Sequence, residues 1–381
     1  MMQMIIEQNE ANSRLIKQSQ YVACTEAFLD CRIPGSVPKS NYSLIGPGVT
    51  QNKSQVINLK EPHGFNIGAA AMPNGVTNNL HVHFTAEVFM CTRGEWLFRW
   101  GPKGEQGTYL AKAGDIVSIP TWIFRGFTNA GDDNGWLFTC LGGDNTGGVI
   151  WSPDIMRAAN ESGLYLSEKN ELIDVAKGQS LADGEQFIAP FPQDAIDELR
   201  IVSPDEMATR ISTHENRQFS ERAFLDFSLE GHGCSLASVI GYGLTQDRNQ
   251  HPPITNPHGF SLEFLKIAPG KSLGSFKIKE KMVIINVKGQ LDIEYNQGQP
   301  SVSVTMGEED TCSIPGDVWR KFVNNGSVTV EAIVIISGDS RKHPEFCDEV
   351  VTQAENNGWL LDANRYLVKK GLTVRNSLLE N

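Results

Sequence analysis

Residues 62–65 read Pro62-His63-Gly64-Phe65, and 195 residues further on the same four letters return as Pro257-His258-Gly259-Phe260. The same offset carries Gly75 onto Gly270, Gly94 onto Gly289, Pro120 onto Pro315, Arg125 onto Arg320 and Asn129 onto Asn324. It still holds at Gly143-Asp144 against Gly338-Asp339 and at Gly163 against Gly358. One tetrapeptide carries little. So many matches in one register, without a net insertion over about a hundred residues, mean that the chain is two copies of one module. The expected organisation is an extension over 1–45, a first module over 46–195, a connecting segment over 196–240, and a second module over 241–381 ending in a helical tail.

Within each copy the pattern is β-rich. Runs such as Glu87–Cys91, Glu95–Trp100 and Gly135–Leu141 alternate or run apolar, and Gly, Asn, Asp and Pro punctuate them every eight to twelve residues. Many short strands at even spacing predict an all-β sandwich or barrel. Each module closes on a helical stretch, Pro153–Ser162 and Pro344–Asn357, both stopped by Gly. Pro190–Pro192 and the acidic run Gln193–Glu198 read as an inter-domain connection.

The chemistry concentrates in the first copy. His81-Val82-His83 places two imidazoles at i and i+2, which share one face of a strand. Glu87 follows either further along that face or on the next strand after a tight turn. Two imidazoles and a carboxylate in one pocket make a site for Fe(II), Mn, Ni, Cu or Zn, and the set suits non-haem Fe(II) in particular.

Gly75-(x5)-His81-x-His83-(x3)-Glu87-(x6)-Gly94 resembles the first cupin motif at every fixed position. Gly114-(x5)-Pro120-(x4)-Arg125-(x3)-Asn129 resembles the second, with Trp122 where Gly is usual and Arg125 where the last metal-binding His is usual. The chain thus resembles a bicupin, two small jelly-roll β-barrels in one polypeptide. The resemblance implies a divalent metal held by three ligands, His81, His83 and Glu87, in the N-terminal barrel. It implies a dioxygenase-type oxidoreductase, similar to quercetinase or gentisate dioxygenase, on a small aromatic or anionic substrate. Cupins also host non-redox isomerases, lyases and decarboxylases, and binding modules without turnover. Bicupins associate through their barrel faces, so the resemblance further implies a homodimer.

The second copy acts as a control. It carries Phe276, Ile278 and Met282 where the first has His81, His83 and Glu87, so its interior is expected to be an apolar plug without metal. Arg125 reads in two ways: as a catalytic residue clamping a substrate carboxylate with its planar fork, or as a structural residue, since Arg320 shares its register. His63 shares PHGF with His258, which favours a turn role over ligation. Among the aromatic residues, Trp122 and Phe124 are expected to border the site, whereas Phe84, Phe89, Trp96, Phe98 and Phe127 read as barrel core.

Composition removes other classes. The net charge of −12, with no basic run, lacks the footprint of a nucleic-acid binder. Neither a long apolar run nor a signal-peptide pattern is evident, which argues against a membrane partner. Seven scattered cysteines without CxxC fit reduced thiols and a cytoplasmic location. Ser-His-Asp spacing and Gly-rich phosphate loops are absent from the sequence.

Overall fold

The computed structural model describes residues 4–298 and 302–372. The helical tail expected at the end of the chain lies in part outside the described residues. The chain forms two units, one of Tyr21–Asn216 and one that joins Met1–Gln20 to Arg217–Asn381.

In the first unit a seven-stranded sheet runs in the order Ile211–Ser212, Ile116–Ile119, Glu87–Arg93, Gly135–Gly142, Phe65–Met72, Ser40–Ile45 and Ile57–Leu59. A five-stranded sheet runs Val149–Trp151, Thr77–His83, Arg125–Asn129, Trp96–Trp100 and Gly107–Ala111. Pairing is antiparallel except between Ser40–Ile45 and Ile57–Leu59. Trp96, Phe98 and Trp100 alternate inward along one strand, as a half-buried strand requires.

The second unit repeats this plan at the sequence offset. Phe260–Ile267, Met282–Lys288, Leu291–Tyr295, Val302–Met306, Thr311–Ile314 and Val330–Ser337 each lie 195 residues beyond a strand of the first barrel. Cross-strand register follows: His81 faces Arg125 and Trp151, while Phe276 faces Arg320 and Phe346. The fold is all-β, two tandem jelly-roll barrels.

The repeated residues are the hydrogen-bonding corners. Asp144 Oδ1 accepts the backbone N–H of His63 at 2.9 Å and of Gly64 at 2.8 Å, and Asp339 does the same for His258 and Gly259 at 2.7 and 2.9 Å. Asn129 Nδ2 donates to Met72 O and Asp133 O, both at 2.8 Å, and Asn324 Nδ2 to Ile267 O and Val328 O at the same distance. His63 belongs to this turn, its Nδ1 bonded to Glu61 O at 2.6 Å, as His258 Nδ1 is to Asn256 O at 2.7 Å. At the motif's usual Gly position, Trp122 has φ 59° and its counterpart Asp317 φ 58°. The turn demands a left-handed residue there whatever the side chain.

Several flanking segments differ from their sequence reading. Ile6 and Ala11 pack into the second barrel's core, and Leu15–Ile16 pairs with Thr311–Cys312. Two-residue strands carry no periodicity, which is why the sequence does not announce them. The second helix spans Asp348–Asn356 rather than starting at Pro344, because Glu345–Phe346 pairs with Phe276 and Lys277. Gln193–Asp197 is a short helix whose Ile196 packs with Val82 and Phe124 of the first unit.

The second barrel's interior is filled. Phe276, Ile278 and Met282 are buried in one apolar cluster with Tyr295, Phe322 and Phe346. Phe276 meets Phe322 edge-on at 5.6 Å and Phe346 at 5.9 Å. Met282→Glu sets an unpaired carboxyl into this cluster, at an expected cost of roughly 2–7 kcal/mol at pH 8. The loss should shrink at pH 5, where a buried carboxyl holds its proton. Thermal melts at the two pH values check this, and a wild-type melt at pH 8 would refute the enclosure of the position.

Candidate metal centre

His81 and His83 end the strand Thr77–His83 of the five-stranded sheet, and Glu87 opens the strand Glu87–Arg93 of the seven-stranded sheet. The three-residue turn Phe84-Thr85-Ala86 therefore carries the chain from one sheet to the other. It brings two imidazoles and a carboxylate together with one donor atom from each within 4.8 Å of the others. All three are buried. Among the described residues this is the one group of three or more His, Cys, Asp or Glu so arranged.

The surroundings orient the donors. His81 Nδ1 lies 2.6 Å from Asn79 O, and His83 Nδ1 lies 3.4 Å from Gly148 O. A carbonyl only accepts, so each Nδ1 carries the proton and each Nε2 keeps its lone pair for an ion. His83 Nε2 stands 3.5 Å from Glu87 Oε2. Arg125 sits opposite His81 on the neighbouring strand. Its Nε and Nη2 donate to Glu87 Oε2 at 3.2 and 2.8 Å, and its Nη1 donates to His81 O at 3.2 Å. Among the described residues both bonds of the fork reach Oε2, which leaves Oε1 to offer. Two imidazole nitrogens and one carboxylate oxygen are a donor set that suits a divalent cation, whose bonds of roughly 2.0–2.2 Å would draw the three atoms closer together than this span.

Burial shapes the protonation. It pushes the Glu87 carboxyl up to about 8. It holds His81 well below the usual imidazole value, with the Arg125 charge adding to the effect, so this ring is neutral at pH 7. Burial also lowers Arg125 well below its ordinary value, while the guanidinium fork on Glu87 favours the ionised carboxylate.

The triad opens on a cavity of about 50 Å³. At ~10–15 Å³ per water on this measure, that is room for roughly four waters. Phe28, Phe89, Phe127, Leu141 and Trp151 give it apolar walls, and Lys39 and Asn78 add polar groups. Trp122 and Phe124, expected to border the site, do not line it. Trp122 is 43% exposed and packs edge-on against Phe84, and Phe124 packs with Val82 and Ile196. Strand alternation points Phe124 to the face opposite Arg125. Phe89 and Phe127, read as core, do belong to the buried core and also form part of the cavity wall. Phe28, Trp151, Asp30 and Lys39 are additions of the structure. Trp151 alone had a sequence signal, its place two residues before the helix Pro153–Glu161.

Arg125 is absent from the lining residues, and its bonds run to Glu87 and His81. Arg320, at the same register, donates to the carbonyls of Val318 and Pro315 at 2.8–3.0 Å. Both arginines hold their barrel together, through different partners.

No protein-family model matches the sequence, and a search of curated protein sequences finds no match. Solved structures do match. The chain is similar to a Lactobacillus farciminis oxalate decarboxylase in its formate complex, at 12% identity and TM-score 0.54, over 89% of this chain and 90% of that one. It is similar to a Bacillus subtilis oxalate decarboxylase variant at 11% identity and TM-score 0.53, over 90% and 84%. It is also similar to vicilin from Corylus avellana at 10% identity and TM-score 0.52, over 88% of each chain. Identities this low speak for the fold alone, and the fold is that of a bicupin. Among the described residues no helix is long and apolar enough to cross a membrane.

Two measurements test the centre. Metal affinity should rise as pH climbs from 6 towards 9 and level off above about 8, where Glu87 has lost its proton; an affinity flat over that range refutes Glu87 as a ligand. Arg125→Lys and Arg320→Lys should both lower the melting temperature, since breaking a buried charge arrangement costs about 3–5 kcal/mol before Lys recovers part of it. Only Arg125→Lys should also weaken metal uptake, measured by elemental analysis on the same samples.

Proposed function

We propose that the protein is a metal-dependent enzyme of the non-redox kind, a lyase that decarboxylates a small carboxylic acid. His81, His83 and Glu87 are the proposed ligands and Mn(II) the proposed ion. The observation that carries the reading is the convergence of these three side chains on a cavity of about 50 Å³. A space for roughly four waters suits a molecule of about six non-hydrogen atoms. An aromatic ring with the oxygen substituents expected of a ring-cleaving dioxygenase substrate is larger than this, so the decarboxylase alternative is the better one. The oxalate decarboxylases among the structural neighbours support the same choice. Fold by itself does not, because vicilin shares it.

His81, His83 and Glu87 would hold a divalent ion, which would supply Lewis-acid chemistry towards a substrate carboxylate. The chain's own residues do the rest. Asn79 O and Gly148 O fix the imidazoles by their Nδ1 protons, and Arg125 fixes Glu87. Phe28, Phe89, Phe127 and Trp151 exclude bulk water, which strengthens each charge interaction inside. Arg125 is thus a positioning residue in this proposal rather than one that touches substrate.

The test joins elemental analysis to gas measurement. Purified protein should hold close to one divalent ion per chain. It should release CO₂ from a small carboxylic acid without consuming O₂. His81→Ala with His83→Ala should remove both the ion and at least about 100-fold of the rate. Iron with stoichiometric O₂ uptake would overturn the reading in favour of an oxygenase.

A further inference from the structure

Lys39 is the one lysine or arginine side chain that lines the cavity, and it lies outside both copies of the repeated motif. It is 6% exposed. Lysine is almost never buried so deeply unless it is paired, and an apolar residue would fill a barrel wall at lower cost. Its ammonium pairs with Asp30 and donates to Asn78 Oδ1 at 2.7 Å. An ammonium has three donors, so among the described residues one remains uncommitted.

The pair is itself braced. Asp30 is wholly buried, and its Oδ2 accepts the backbone N–H of Asn79 at 3.2 Å and its Nδ2 at 3.1 Å. Asn79 O is the carbonyl that receives His81 Nδ1–H. Lys39 is therefore placed by the same residue that orients a proposed metal ligand.

Charges around the cavity cancel in pairs: Lys39 with Asp30, Arg125 with Glu87. The two imidazoles add none when neutral. A divalent cation among His81, His83 and Glu87 would leave two positive charges uncompensated in a small, apolar-walled cavity, and a dianion restores balance where a monoanion does not. A two- or three-carbon dicarboxylate has six or seven non-hydrogen atoms, about what the space admits.

We propose that Lys39, held by Asp30 and Asn78, is the specificity-determining residue that anchors the second carboxylate of a small dicarboxylate whose first carboxylate faces His81, His83 and Glu87. The inference rests on the decarboxylase reading for the identity of the site and adds to it the class of acid accepted. The uncommitted N–H supplies a charge-assisted hydrogen bond that a monocarboxylate cannot use.

The experiment uses the metal-loaded full chain with malonate and acetate as probes, titrated calorimetrically. Wild type is compared with Lys39→Met and with the double variant Asp30→Asn/Lys39→Met. The double variant removes both charges together, so that no buried carboxylate is stranded. Metal content should stay at the wild-type level in both variants. Malonate should bind roughly 10- to 100-fold more weakly, the worth of one charge-assisted hydrogen bond, while acetate changes less than about threefold. Malonate affinity within about threefold of wild type in a metal-replete variant overturns the proposal, as does a wild type that holds malonate no better than acetate. Lys39-dependent malonate binding without CO₂ release from any carboxylic acid would sink the decarboxylase reading and leave the anchor standing. CO₂ release from monocarboxylic acids alone, indifferent to Lys39→Met, would do the reverse.

Discussion

A carboxyl group inside a barrel needs a partner that holds it in place and opposes the loss of its charge to burial, and the bond pair from Arg125 to Glu87 supplies one. The strand register makes that pairing available. Arg125 faces His81 across two adjacent strands, so one guanidinium spans the carboxylate of one proposed ligand and the backbone carbonyl of another. Gly126 follows it, and a Cβ there would stand 2.7 Å from Asn78 O. The close approach of these two strands thus requires glycine. The candidate metal centre is a consequence of this joint between two sheets.

The duplication separates what the barrel needs from what the site needs. Both copies keep the aspartate that ties down PHGF, the asparagine that braces a loop, and a left-handed residue in the turn after the proline. These residues satisfy buried backbone groups, a requirement set by the fold and independent of its contents. The interiors then diverge. In the first barrel polar groups surround a cavity, whereas in the second Phe276, Ile278 and Met282 occupy the equivalent positions. Arg320 donates there to backbone carbonyls and, among the described residues, forms no ion pair with a carboxylate. An arginine shared by both copies is therefore structural in origin, and only in the first copy does it hold a carboxylate, that of Glu87.

Size, more than donor chemistry, narrows the function. Two imidazoles and a carboxylate suit several metals and both redox and non-redox reactions. The walls formed by Phe28, Phe89, Phe127 and Trp151 leave room for only a few non-hydrogen atoms, and that argues for a small acid. The buried Lys39–Asp30 pair places a further polar anchor in this space.

The amino-acid sequence alone determined the duplication, the strand pattern and the triad His81, His83 and Glu87, because each is a matter of spacing along the chain. A fixed offset sets strand register, and i, i+2 spacing sets a shared face. It also determined that the second interior is apolar, since register carries Met282 onto Glu87. Tertiary structure decided the rest. Lys39 and Asp30 lie in a stretch without repeat or motif, and they reach the cavity only when the segment before Ser40–Ile45 folds against the ligand strand. The exchange of Trp122 and Phe124 for Phe28 and Trp151 as wall residues has the same origin. Which side chains meet across a barrel is set by contacts between residues far apart in sequence, and local periodicity does not encode those contacts.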